Sequence, residues 1–153
     1  MADIALNWNA VTGDADIVVA AGDVATDWGL VTGAIISLFS DRLAESGDAI
    51  PDGSTDRRGW WGDMPIAAAD ESSAPRDRIG SRLWLLDRAL QTQQTLTAAE
   101  RYAEEALSWM LQDGVAGSLA AKASFPRSGW IELDITITQP NGSTAFSVQW
   151  RYS

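Results

Sequence analysis

The last third of the chain alternates apolar and polar residues three times in succession. Leu119, Ala121, Ala123 and Phe125 form the first apolar series, Ile131, Leu133, Ile135 and Ile137 the second, and Phe146, Val148, Trp150 and Tyr152 the third. A period of two places each series on one face of a strand, so the three runs predict an antiparallel meander with one buried face. The stretch "PNGS" at 140–143 puts an Asn-Gly pair, favoured in tight hairpins, between the second and third runs. With Asn141 and Gly142 as turn residues, Ile137 lies opposite Phe146, Ile135 opposite Val148, Leu133 opposite Trp150 and Ile131 opposite Tyr152. The same register sets Glu132 across from Arg151 on the other face, a pair worth roughly 0.2–1 kcal/mol. A slip of one residue breaks both matches. A three-stranded sheet also has two edges, and an uncovered edge accepts a strand from another chain.

A sheet with one apolar face needs a cover, and "TLTAAERYAEEALSWMLQDG" at 95–114 supplies it. Ala99, Ala103, Ala106 and Met110 share a helical face that Tyr102, Leu107 and Trp109 widen. Thr97 and Glu100 have capping-box spacing, and Gly114 is placed as the left-handed residue that ends the helix. Upstream, "SRLWLLDRAL" at 81–90 predicts a second helix with Ser81 as cap and Leu83, Leu86 and Leu90 as its stripe; Trp84 lies off that stripe. In 27–39, Leu30, Ala34, Ile35 and Leu38 fall on one helical face behind possible caps at Thr26 or Asp27. The β-branched content there also suits a buried strand, and the helix is the preferred reading. Near the N-terminus Ile4, Leu6 and Trp8 alternate, and "DIVVA" at 16–20 follows after "TGDAD", which reads as a hairpin or two extended arms.

The expected fold class is therefore α+β, a small single domain of 153 residues. Its expected parts are N-terminal strands (1–26), a core segment (27–45), a long loop (46–80), a helical pair (81–113) and the antiparallel sheet (118–152). A loop that long inside a compact domain is usually functional or disordered. It contains "DRRGWWGD" at 56–63, where Trp60 and Trp61 would be costly to leave in water. One reading folds the indoles back as a satellite core. The other makes the segment an interaction epitope, because Trp and Arg dominate protein–protein hot spots and Gly59 and Gly62 permit close backbone approach.

Composition narrows the chemistry. The formal net charge is −10, which disfavours nucleic acid and anionic membrane surfaces as partners. The acidity is concentrated early: residues 1–56 carry ten acids and one base, Arg42, whereas 57–101 carry seven arginines against six acids. Cysteine and histidine are both absent, which removes disulfides, the usual transition-metal ligands and the commonest general base. No phosphate-binding glycine loop or nucleophile elbow occurs. Asp14, Asp16, Asp23 and Asp27 lack calcium-loop spacing and read as a solvated acidic face. The N-terminus has no signal-peptide pattern, and "GLVTGAIISLF" at 29–39 is too short for a span of about 20 residues. "NGS" at 141–143 reads as a turn. Catalytic, cofactor and metal sites are all expected to be absent. The enzymatic alternative is a carboxylate-based muramidase using acids among Glu45, Asp48, Asp52, Asp63 and Glu71, with Asp63 beside Trp61 the best placed for a raised pKa.

Five segments in order, "GLVTGAIISLFSDRLA", "PDGSTDRRGWWGD", "IGSRLWLLDRA", "AERYAEEALSWMLQDGVA" and the "PNGS" hairpin, resemble the Mu-like phage tail protein family of contractile-tail baseplates. The resemblance spans nearly the whole chain and is similar in kind to the baseplate wedge protein that initiates the sheath, whose members elsewhere were once labelled lysozyme-like. It implies a virion protein assembled in the host cytoplasm, present in several copies in a six-fold baseplate. Its implied partners are other wedge proteins, the tail sheath protein and the tail tube, with strand addition at a sheet edge. Related wedge families carry a Glu-Pro-Arg motif near the end of the long helix. This chain reads "QDGVAGSL" there, so contacts of that motif do not transfer. The implied epitope comprises Arg57, Arg58, Gly59, Trp60, Trp61, Gly62 and Asp63, then Ser81, Arg82, Leu83 and Trp84; the alternating third run adds Phe146, Val148 and Trp150 as interaction candidates on the edge strand.

Overall fold

The computed structural model describes residues 3–9, 11–24, 26–27, 30–60 and 78–152. Six short strands come first: β1 (Asp3–Ile4), β2 (Leu6–Asn9), β3 (Asp14–Ile17), β4 (Val19–Ala20), β5 (Asp23–Val24) and β6 (Thr26–Asp27). They pair antiparallel, β2 with β3, β4 with β5, and β1 with β6. Helix α1 (Leu30–Phe39), a 3-10 turn (Leu83–Leu86) and the long helix α2 (Gln93–Gln112) follow. The chain ends in the meander β7 (Ser118–Ser124), β8 (Trp130–Gln139) and β9 (Gly142–Arg151), with β8 in the middle. The α+β architecture matches the sequence expectation.

The alternating residues of the meander share the buried face as their period requires. Ile131, Leu133, Ile135, Ile137 and Val148 are sealed from solvent, and each such side chain contributes about 2 kcal/mol relative to exposure. Ala99, Ala103, Ala106, Leu107 and Met110 of α2 meet that face, together with Ala34 and Leu38 of α1. Trp109 ties the two helices: its indole N–H donates to Ser37 Oγ at 3.0 Å.

The hairpin register differs from the expected one by two residues. Ile135 pairs with Phe146, Leu133 with Val148 and Ile131 with Trp150, and the two-residue turn is Pro140-Asn141. A turn of Asn141 and Gly142 would need positive φ at both. Instead Pro140 supplies the fixed negative φ wanted at the second turn position, Asn141 stays out of the left-handed region, and Gly142 closes the turn at φ 145°. A two-residue slip keeps every apolar side chain facing inward, so the pattern cannot detect it. The polar match does change. Glu132 faces Gln149, whose side-chain amide donates to it, while Arg151 lies opposite Trp130.

Two helix expectations also need correction. The segment 81–90 is not an α-helix: only Leu83–Leu86 coils, as a 3-10 turn, and the chain breaks at Arg88, which adopts φ 66°. Leu83 and Leu86 are buried, Trp84 is buried with them, and Leu90 is 78% exposed. Helix α2 begins two residues before the sequence segment assigned to it. Thr92 is the cap, accepting the Thr95 N–H at 3.2 Å, while Thr97 bonds back to the Gln93 carbonyl and Glu100 reaches the Ala123 N–H. The Gly114 terminator is as expected, at φ 70°. The segment at 30–39 is helical, but Thr26 and Asp27 are not its caps, because they pair with β1.

Candidate interaction surfaces

The arginine- and tryptophan-containing motifs build an internal clasp. Ser81 is held between two backbone hydrogen bonds, its N–H donating to the Ser40 carbonyl at 2.8 Å and its carbonyl accepting from the Arg42 N–H at 2.9 Å. Its hydroxyl donates to the Leu38 carbonyl at 2.5 Å. Gly80 permits this approach: it sits at φ 102°, and a Cβ there would lie 2.5 Å from the Ser40 carbonyl oxygen. Trp84 donates its indole N–H to the Arg42 carbonyl at 2.9 Å. Arg57 exchanges backbone and guanidinium hydrogen bonds with Ala44, and the Cβ that Gly59 lacks would sit 3.1 Å from Leu43.

Charges complete the clasp. Arg82 donates from Nε to Glu105 at 3.0 Å and from Nη1 to Asp48 at 3.0 Å, and its guanidinium lies 4.9 Å from the Tyr102 ring centre. Burial works against this cation, yet the hydrogen bonds it donates to Asp48 and Glu105, and their charges, hold it protonated more firmly than in water. Burial likewise pushes Asp48 up, but the Glu45 N–H and Arg82 outweigh it and leave the carboxyl below its usual value. Arg58 stacks at 4.5 Å over Trp84 and bridges Asp41 at 2.9 Å and Asp87 at 3.9 Å. Asp87 is raised, because its burial and the nearby Asp41 charge exceed the help from Arg58.

Of the sequence-expected epitope, Ser81, Arg82, Leu83 and Trp84 are therefore buried within the chain's own packing. Arg57 and Gly59 are half-buried in the clasp, Trp60 is half-buried, and Arg58 shows solvent-facing surface. Trp61, Gly62 and Asp63 lie outside the described residues, as does Glu71. Among the carboxylates considered for a muramidase, Glu45 and Asp48 pair with Arg82, and hydrogen bonds from Ser54 hold Asp52 below its usual pKa. A lowered pKa is the opposite of what a general acid needs.

The edges of the meander are the second surface, and backbone parity decides what they offer. The Tyr152 N–H donates to the Gly129 carbonyl at 3.1 Å, so even-numbered residues of β9 bond to β8 and odd-numbered ones turn their N–H and C=O outward. Phe146, Val148 and Trp150 thus spend their backbone groups inside the sheet. Ser143, Ala145, Ser147 and Gln149 form the outer rim. Gln149 is already engaged, because the Trp8 indole N–H donates to its carbonyl at 2.6 Å. Ser143, Ala145 and Ser147 are exposed, and their outward groups have no partner among the described residues. The β7 edge lies beside α2, whose Glu100 takes the Ala123 N–H at 3.0 Å. Periodicity pointed to Phe146, Val148 and Trp150; a correct register would have pointed to their odd-numbered neighbours.

Comparison with known proteins adds a lineage to this geometry. The model of the family described as phage protein GP46 matches residues 30–144. Baseplate protein gp46 of Escherichia phage Mu is 45% identical over 144 residues, an alignment covering 94% of this chain and 91% of that protein. The Mu-like prophage FluMu protein gp46 of Haemophilus influenzae is 36% identical over 153 residues, covering 98% of each.

Proposed function

This chain belongs to the phage protein GP46 family, among the Mu-like phage baseplate proteins, and on that premise we propose how it serves a virion tail baseplate as a structural subunit. It binds neighbouring wedge proteins, and its meander accepts an extended strand of the tail sheath protein, which starts the first sheath ring. The clasp makes the body rigid, and the half-exposed Arg58 and Trp60 give wedge partners a cation and an indole at its surface. The observation that carries strand addition is the open outer rim at Ser143, Ala145 and Ser147. Three consecutive outward positions present alternating donors and acceptors at the spacing an incoming strand needs. The β7 edge is the less suitable acceptor, with α2 beside it and a donor already taken.

Two proline variants test this reading. Ala145→Pro removes an outward N–H that the fold does not use, so its melting temperature should stay near wild type. Co-sedimentation with assembled sheath should fall about tenfold, through a lost hydrogen bond and the ring's clash with the incoming strand. Val148→Pro removes an N–H bonded to β8 and should unfold the sheet. Sheath binding by Ala145→Pro at wild-type levels would rule out this edge as the acceptor.

A further inference from the structure

The N-terminal strands hold apolar side chains that nothing among the described residues covers. Every residue of β3, β4 and β5 is exposed. Val11 is 84% exposed and Val19 67%, with Ile17 and Val24 also open to solvent. Val19 and Val24 face each other across the strand pair, and Ile17 lies two residues before Val19. Strand β2 is by contrast well held. Its Leu6 N–H donates to Thr32 Oγ1 at 3.0 Å, and Trp8 stacks on Phe39 with ring centres 3.7 Å apart. The result is an anchored strand carrying a projecting pair, and a two-stranded ribbon in water is marginal without a further layer.

The charge of this arm says what supplies that layer. Asp14 and Asp16 alternate with Ile17 along β3, and Asp23 alternates with Val24 along β5, so the carboxylates occupy the opposite face of each strand pair from these apolar residues; all three are exposed, and none forms an ion pair among the described residues. The chain has no lysine or arginine before Arg42. A second copy would bring the same carboxylates and a further net charge of −10, so self-association works against the charge. We infer that residues 11–24 are a docking arm seated in a cleft of a different protein, with Ile17, Val19 and Val24 on an apolar wall and lysine or arginine on the facing wall meeting Asp14, Asp16 and Asp23 on the other face. This rests on the baseplate reading but concerns a surface separate from the β9 rim.

The test places a photoreactive benzoylphenylalanine at Val19 in the full chain and irradiates assembled tails. The expected product joins this chain to a different polypeptide, at a peptide containing lysine or arginine. The triple variant Asp14→Asn, Asp16→Asn, Asp23→Asn should keep the wild-type melting temperature and lower the cross-link yield about fivefold, as should assembly in about 0.5 M salt. Tails that contain the chain but give no product, or a product with a second copy only, would overturn the arm and leave the baseplate reading standing. Tails that lack the chain would overturn both.

Discussion

The indole N–H of Trp8 donates to the carbonyl of Gln149 at 2.6 Å, joining residues 141 positions apart in sequence. It closes one end of the β9 rim and leaves the turn-proximal end open. The same ring stacks on Phe39, which in turn meets Trp150 edge-on at 6.0 Å. One side chain thus both anchors the N-terminal strands and sets how much of the sheet edge is available.

Trp8→Phe keeps a ring on Phe39 but loses the donor, and should cost about 1 kcal/mol in urea unfolding. Trp8→Ala loses the stacking as well and should cost about 3 kcal/mol. In both, exchange of the amides in β2 should quicken more than that of β8.

Arg82 neutralises Asp48 and Glu105 where all three are largely buried. Arg82→Met should therefore destabilise by about 3 kcal/mol, since it takes the cation from Asp48 and leaves Glu105 only the 3.8 Å pairing with Arg42. The Asp48 carboxyl has a folded pKa below its unfolded value of 3.8. The stability it contributes is present above that value and lost as pH falls through the lower folded value. Asp48→Asn should accordingly lower stability at neutral pH and flatten the acid limb of a melting curve taken below about pH 4.

Asp87 shows the opposite sign. Its folded pKa is raised, so its contribution to stability is present below the unfolded value and lost as pH rises through the folded one. Asp87→Asn should leave the neutral-pH melting temperature unchanged or higher. A clear decrease would mean that the pairing with Arg58 outweighs burial.

Gly80→Ala forces a Cβ against the Ser40 carbonyl in a left-handed backbone, and should cost more than about 3 kcal/mol. Gly53→Ala is the control: φ is 68° there too, but nothing lies within 4 Å, so the cost should stay near 1–2 kcal/mol. Equal melting temperatures for the two variants would contradict the close approach of the 40–42 and 80–82 segments.

The Tyr152 hydroxyl is buried and has no hydrogen-bond partner among the described residues. Tyr152→Phe removes a desolvated polar group without changing the ring that meets Phe125 at 6.2 Å. Thermal unfolding should show equal or greater stability.

The sequence alone determined which side of each C-terminal strand is buried, the face that α2 turns to the sheet, and the Gly114 stop. These are local: a period of two or 3.6 is written in neighbouring residues, and a left-handed terminator is a property of one glycine. Tertiary structure decided the hairpin register, because a two-residue slip preserves the alternation and only the turn distinguishes the options. It also decided the fate of Ser81, Arg82 and Trp84, whose hydrogen-bond partners Leu38, Glu105 and Arg42 lie 23 to 43 residues away. Their apolar and basic character suits an epitope as well as a clasp. Which sheet rim stays open depended on Trp8 and Glu100 reaching outward-facing backbone groups, and hydrogen bonds between groups so distant in sequence leave no period to read.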